Sequence, residues 1–449
     1  MWKKHFLFIV LTLALAACSF GQGLLTQTPA EPEASPQPTS TAVGTASPVP
    51  ITPTLSPEIV AEMEELESQV VELRGLAPTA PIERQLLSVE AFGRMLMEDL
   101  LESYSAEEAK DDARLLALFG LLPADFDLWS FYLELYTEQV AGFYNAETNV
   151  LYVVEGAEFD GPERLTYVHE YTHALQDQHF DLADSLAVDE EACEIDGERC
   201  SAVQAVIEGD ASLLEEQWLR IYASQEDFDD LLAFYGDFQS PVMEQAPEPL
   251  RQISLFPYEH GLAFVRWIHQ RGGWAAVDEL FADPPTTTEM ILHPLSYAED
   301  PPVDLEETEP DSAALGSNWR VLDQGTLGEF DLRLLLAASL PEERAQEAAE
   351  GWGGDYYTAY YNDEAQAGAW YIILQWDTIR DAQDAYQTWR DYGEARFGPR
   401  IPDGQAYRWE SDQGFARLEL ASNQTLWLVA PDSDTLEALR QTIEFPAED

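Results

Sequence analysis

The stretch TYVHEYTHALQDQHF, residues 166–180, carries three of the seven histidines in the chain. Two of them, His169 and His173, flank Glu170 in the order H-E-x-x-H. On a helix, side chains four apart lie one above the other, so both imidazoles can grip one metal ion from the same face. Glu170 is turned by about 100° from His169 at 3.6 residues per turn. It therefore reaches a water on the ion rather than the ion itself. The chemistry this implies is hydrolysis: a zinc ion acidifies the water and Glu170 takes its proton.

A catalytic zinc needs a third protein ligand and one open position. Two candidates compete. His179 stands ten residues after His169, the spacing of the last ligand in the metzincin pattern H-E-x-x-H-x-x-G-x-x-H. That pattern needs a glycine to end the helix, and Gln176 occupies the place here. If the helix continues, His179 lies about 240° around from His173 and points away. Glu208 is the stronger candidate. It lies in the apolar run AVQAVIEGDA, where a buried carboxylate needs a partner. Gly209 and Ala211 beside it are small enough to let its helix approach the first one. Glu191, Glu194 and Glu198 fall in the polar stretch CEIDGERC and its flank and are expected in solvent; Glu215 and Glu216 are expected on an outer face.

The elements that must position these groups are legible in part. Gly161 and Pro162 open the helix that bears the histidines. SAVQAVIEGDASLLEEQWLRIY reads as a second, more buried helix. Upstream, NAET is a turn signal and VLYVV is β-prone, so GFYNAETNVLYVV reads as a hairpin or edge strand. PEIVAEMEELESQVVELRGL has helical periodicity, and further helices are expected to about residue 140. From about residue 313 helix-like and strand-like segments alternate, which predicts a small α+β unit with an antiparallel sheet. The fold class expected is α+β: a mostly helical unit over 56–305 with a small edge sheet, then the C-terminal unit over 313–449.

This arrangement of H-E-x-x-H, connecting segment, and a second helix with Glu208 followed by Gly-x-Ala resembles the gluzincins, the thermolysin-like zinc metallopeptidases. The resemblance covers residues 140–220 well and 56–300 loosely. It implies His169, His173 and Glu208 as zinc ligands, Glu170 as general base, one Zn2+ per chain, and a strand along the cleft that pairs with an extended peptide. It also implies a downstream tyrosine or histidine that stabilises the oxyanion, for which Tyr258 and His293 are the candidates, with His260 behind them. His269 is expected on a helix surface. Many relatives carry an aspartate four residues past the ligand glutamate; here Ser212 stands there, leaving Asp177 or Asp210 to orient a ligand histidine.

The ends and the composition set the context. Lys3 and Lys4 precede an apolar segment too short to span a bilayer, which reads as an export signal over 1–17. It ends in LAAC, which looks like a bacterial lipobox and implies lipidation of Cys18 and a membrane anchor. Residues 18–55, rich in Pro, Thr and Ser, read as an extended tether. Export places Cys193 and Cys200 in an oxidising setting where a disulfide is the default. With 84 acidic against 23 basic residues, a balance of −61, the surface repels phosphate backbones, so nucleic acid is excluded as a partner. The expected partner is a peptide or protein substrate; the oligomeric state is not written in the sequence. The competing readings are a non-enzymatic surface lipoprotein with a structural or absent zinc, and a hydrolase of cell-wall amides.

Overall fold

The computed structural model describes residues 55–446, apart from 89–90, 96, 98–103, 139–141, 147, 155–158, 183–184, 187, 189, 238–239, 296, 298–300, 304 and 306–310. The expected export signal, Cys18 and all of the tether but Leu55 lie outside the described residues.

The first unit is mainly helical. Helix α1 (Pro57–Arg74) starts where the Ser56 hydroxyl accepts the Ile59 N–H, and it stops at Gly75, whose φ of 79° only glycine adopts at no cost. Strand β1 (Glu83–Leu87) follows, in a region where only helices were expected. Helices α2 (Ala106–Phe119) and α3 (Leu128–Glu138) come next. Strands β2 (Gly142–Asn145) and β3 (Val150–Val154) form the expected hairpin. In their three-stranded sheet, β3 is central, β1 pairs with it in parallel, and β2 is an edge. Helix α4 (Gly161–Phe180) carries the H-E-x-x-H run and continues past Gln176.

Helix α5 (Glu190–Ile195) and helix α6 (Gly197–Ile221) contain Cys193 and Cys200, which form a disulfide across the break between them. The stretch expected as a polar loop is thus mostly helical. Glu198 is buried there rather than solvated, and accepts both the N–H and the hydroxyl of Thr288 at 2.6 Å. Helices α7 (Gln225–Asp237), α8 (Pro241–Gln245), α9 (Glu248–Ala282) and α10 (Thr288–Leu292) complete the unit.

Helices α6 and α9 cross with their backbones in contact. A Cβ added at Gly209 would sit 2.3 Å from the Gly261 carbonyl oxygen, and one at Gly261 would sit 2.1 Å from the Ala205 oxygen. Gly209 therefore serves the approach of α9, not that of α4 as the sequence suggested.

The C-terminal unit is a seven-stranded antiparallel sheet with helices on both faces. Strands β4 (Trp319–Gly325), β5 (Trp352–Asn362), β6 (Ala367–Trp376), β7 (Ile401–Asp403), β8 (Ala406–Ser411), β9 (Gly414–Ala421) and β10 (Gln424–Ala430) lie in the order β4-β5-β6-β10-β9-β8-β7. Helices α11 (Gly328–Ala337) and α12 (Glu342–Ala349) sit between β4 and β5, α13 (Ile379–Phe397) between β6 and β7, and α14 (Ser433–Thr442) at the end. Alternation along the strands feeds two cores. Trp370, Ile372 and Leu374 pack with Trp389 of α13, while Tyr371 and Leu428 face Leu436 and Leu439 of α14.

The two units share one hydrophobic core. Phe119 of α2 lies against Trp370 and Tyr357 at 4.7 and 5.5 Å between ring centres. Phe330 of α11 lies 4.3 Å from Phe256 of α9. Arg396 of α13 donates to the carbonyls of Leu118 and Phe119, the orphan acceptors at the end of α2. Among the described residues, no helix is long and apolar enough to cross a membrane.

Candidate metal centre

Helix α4 is buried along nearly its whole length, between β2 on one side and α6 on the other. That burial explains why so polar a sequence is ordered: its histidines and glutamate have partners inside. His169, His173 and Glu208 are 1%, 3% and 7% exposed. Their donor atoms converge. His169 Nε2 and His173 Nε2 are 2.9 Å apart, and Glu208 Oε2 lies 3.2 Å from the first and 3.5 Å from the second.

These three atoms form a triangle of the size one ion requires. In a tetrahedral site with bonds of about 2.0–2.1 Å, neighbouring donors stand about 3.3 Å apart. Two nitrogens and one carboxylate oxygen are also a donor set that zinc takes in catalytic sites. The residues therefore fit a zinc ion, with the triad that the sequence favoured. His179 is not part of it. It is exposed and its Nε2 lies 2.7 Å from the Ala77 carbonyl oxygen.

With protein groups alone, the triad is tightly charge-coupled. Burial works against protonated His169, yet Glu215 and Glu208 outweigh it and raise its pKa to about 10. Burial likewise opposes ionised Glu208, yet the two histidines hold it down at about 2. Such mutual stabilisation is what lets three polar groups stay inside.

Each histidine has a partner at its other nitrogen. His173 Nδ1 lies 2.8 Å from Gln176 Oε1. The Gln176 amide donates to the Ile207 carbonyl at 3.0 Å and to Asp210 at 2.9 Å. Asp210 in turn accepts from Arg74 at the end of α1, and Arg74 also pairs with Asp278. Asp210 thus reaches His173 through Gln176 and not directly. His169 Nδ1 lies 3.2 Å from Glu215 Oε1, an ionic contact off the line of a good hydrogen bond.

Glu215 was expected on an outer face, but its side chain is only 14% exposed. It lies two turns past Glu208 and so on the same stripe of α6, a spacing that could have revealed it. Glu216 does face outward and pairs with Arg266.

Glu170 is 1% exposed. Its Oε2 accepts the backbone N–H of Tyr144 on edge strand β2 at 2.8 Å, and its Oε1 has no hydrogen-bond partner. Burial raises its pKa to about 7 against the pull of His173, His169 and the Tyr144 N–H. Asp177 does not orient a ligand; it accepts from the Tyr144 hydroxyl at 2.8 Å. It thereby pins β2 against α4.

Of the downstream candidates, Tyr258 on α9 is brought to the site, its ring centre 6.5 Å from that of His169. His293 is held instead by Glu329 and Arg333 on α11, at the junction with the C-terminal unit. His260 packs on Phe256 and Phe330 of that junction, and burial followed by the charge of Arg333 lowers its pKa to about 4. His269 stacks edge-on with Trp274.

No curated protein and no solved structure matches the chain. The model of a domain of unknown function, DUF8575, matches residues 319–440, which is the C-terminal sheet unit and leaves the candidate metal centre outside.

Proposed function

We propose that the chain is a membrane-tethered, extracytoplasmic zinc metallopeptidase. The observation that carries this reading is the convergence of His169 Nε2, His173 Nε2 and Glu208 Oε2 beside a buried glutamate with one unpartnered oxygen. A zinc ion held there supplies Lewis acidity, acidifying water and polarising a carbonyl. Glu170 is built for the proton. The Tyr144 N–H fixes Oε2, so Oε1 is free to take a proton from the attacking water and return it to the leaving amine. A purely structural site has no use for such a carboxylate. Edge strand β2 has an open side for an extended peptide, and the Tyr258 ring, 6.5 Å from that of His169, supports this residue as the donor to the oxyanion. The outside location and lipid anchor rest on the first 18 residues, with the Cys193–Cys200 bridge consistent with an oxidising compartment.

The test is a pair of variants of the zinc-loaded protein assayed on an unfolded protein substrate. Glu170→Gln abolishes hydrolysis and keeps one zinc per chain; Glu208→Ala lowers zinc affinity by orders of magnitude. Full activity in Glu170→Gln ends this reading.

A further inference from the structure

Glu170 and Asp177 stand two turns apart on α4, within about 20° of one stripe. Both carboxylates accept from a single residue of edge strand β2. Glu170 Oε2 takes the Tyr144 N–H at 2.8 Å, and Asp177 Oδ2 takes the Tyr144 hydroxyl, also at 2.8 Å. One tyrosine is thus gripped at its backbone by the proposed general base and at the tip of its ring by a second acid. The proposed reaction uses only the first of these contacts.

The second has a position to hold. Strand β2 is four residues long and pairs on one side only, with Tyr144 opposite Leu151 of β3. Few ladder hydrogen bonds secure so short a strand, and such segments open most readily.

The side chain supplies what the ladder lacks. Tyr144 is 4% exposed, in the core that also holds Leu151 of β3 and Ala174 of α4. Burial first, then the hydrogen bond to Asp177, raises its pKa above the usual tyrosine value, so the hydroxyl stays a donor. Asn149 Oδ1 lies 3.0 Å from the same oxygen, but the hydroxyl has one hydrogen and a carboxylate is the stronger acceptor. Asp177 is itself fixed at its other oxygen, which takes the Leu182 N–H at 3.3 Å just past the end of α4.

We propose that Tyr144 is a positioning residue for Glu170. Its hydroxyl, seated on Asp177, fixes β2 along α4 so that its own N–H meets Glu170 Oε2, which leaves Oε1 as the oxygen that handles the proton. The hydroxyl touches no reacting atom, so its loss acts through the placement of Glu170, and misplacing a catalytic group by about 1 Å costs on the order of 100-fold in rate. This inference rests on the peptidase reading.

The test uses the zinc-loaded protein, a quenched fluorescent peptide and three variants shown to be folded by circular dichroism. Tyr144→Phe keeps the ring in the core and removes only the hydroxyl. It lowers kcat by about tenfold or more, with KM within about twofold of the parent and one zinc per chain. Asp177→Ala does the same, and the double variant is no slower than the slower single one, because both remove one contact. An unchanged kcat in Tyr144→Phe, or losses that multiply in the double variant, overturn the assignment. Amide hydrogen exchange at residue 144 gives a readout without activity. It quickens by about tenfold or more in Tyr144→Phe, as the N–H loses its hold on Glu170. Unchanged exchange overturns the assignment whatever the activity. If the parent cuts no peptide, yet this amide exchanges faster in both single variants, Tyr144 does position Glu170 and it is the peptidase reading that fails.

Discussion

At the scale of single residues, the candidate metal centre shows how an imidazole is told which nitrogen to present. Both amide hydrogens of Gln176 are committed, to Ile207 and Asp210, so its oxygen has to accept from His173 Nδ1–H. The Nε2 lone pair is then left for the ion. The amide sits where the metzincin pattern has glycine, and so takes over a role the helix would otherwise have left vacant. We expect Gln176→Leu to lower zinc affinity by about 10–100-fold, the usual cost of losing a group that orients a ligand. Glu215→Ala is expected in the same range through His169. Competition with a chromophoric chelator measures both, and an unchanged affinity in either variant removes that residue from the centre.

Among elements, the crossing of α6 and α9 is the contact on which the site depends. It brings Glu208 on one helix and Tyr258 on the other to the same imidazole pair. Glycines at 209 and 261 permit it by letting the backbones touch. Because the neighbours of Gly261 are backbone atoms of Ala205, an added methyl has nowhere to go without moving a helix. Gly261→Ala should cost about 1–3 kcal/mol or more by overpacking. Urea unfolding followed by circular dichroism gives the number; a midpoint equal to that of the parent protein would show that the crossing is looser than described.

Over the whole molecule, aromatic rings and the Glu329–His293 pair fasten the sheet unit to the helical unit, and a buried acid ties the sheet unit together internally. Asp355 of β5 accepts the N–H groups of Leu327 and Gly328 at the start of α11 and that of the Trp352 indole. Burial, with a smaller push from Glu198, nonetheless raises its pKa to about 6 against those hydrogen bonds. Its pKa is about 3.9 in an unfolded chain. Between those values the native state keeps a proton that the unfolded chain has lost, so the contribution of this group to stability falls as pH rises from about 4 to 6. The stability difference between the parent and Asp355→Asn should therefore shift against the parent across that window, by on the order of 3 kcal/mol. Thermal unfolding of both at closely spaced pH values checks it, and a flat difference refutes it. Arg396→Ala, which uncaps the end of α2 across the junction, should lower the unfolding temperature of the whole chain in one transition. Two separate transitions in the parent protein would show that the units do not share a cooperative core.

The sequence by itself determined the parts whose physics is local. H-E-x-x-H on a helix puts two imidazoles and a carboxylate in fixed relation because 3.6 residues per turn leaves no other arrangement. Glu208 stood out because an ionisable group in an apolar run needs a partner. The hairpin at 142–154 and most C-terminal elements followed from turn residues and periodicity. What required the tertiary structure were relations between segments far apart in the chain. Arg74 and Asp210 are 136 residues apart, and nothing local marks them as a pair. Gly209 is small for α9 and not for α4, which only the packing of three helices settles. Glu198 is buried because α10 descends onto it. His293 stood slightly ahead of Tyr258 as a downstream candidate, yet the direction in which α9 and α10 run brings Tyr258 beside His169 and turns His293 to Glu329. Local spacing sets which side chains share a face; only the packing of the whole chain sets what that face meets.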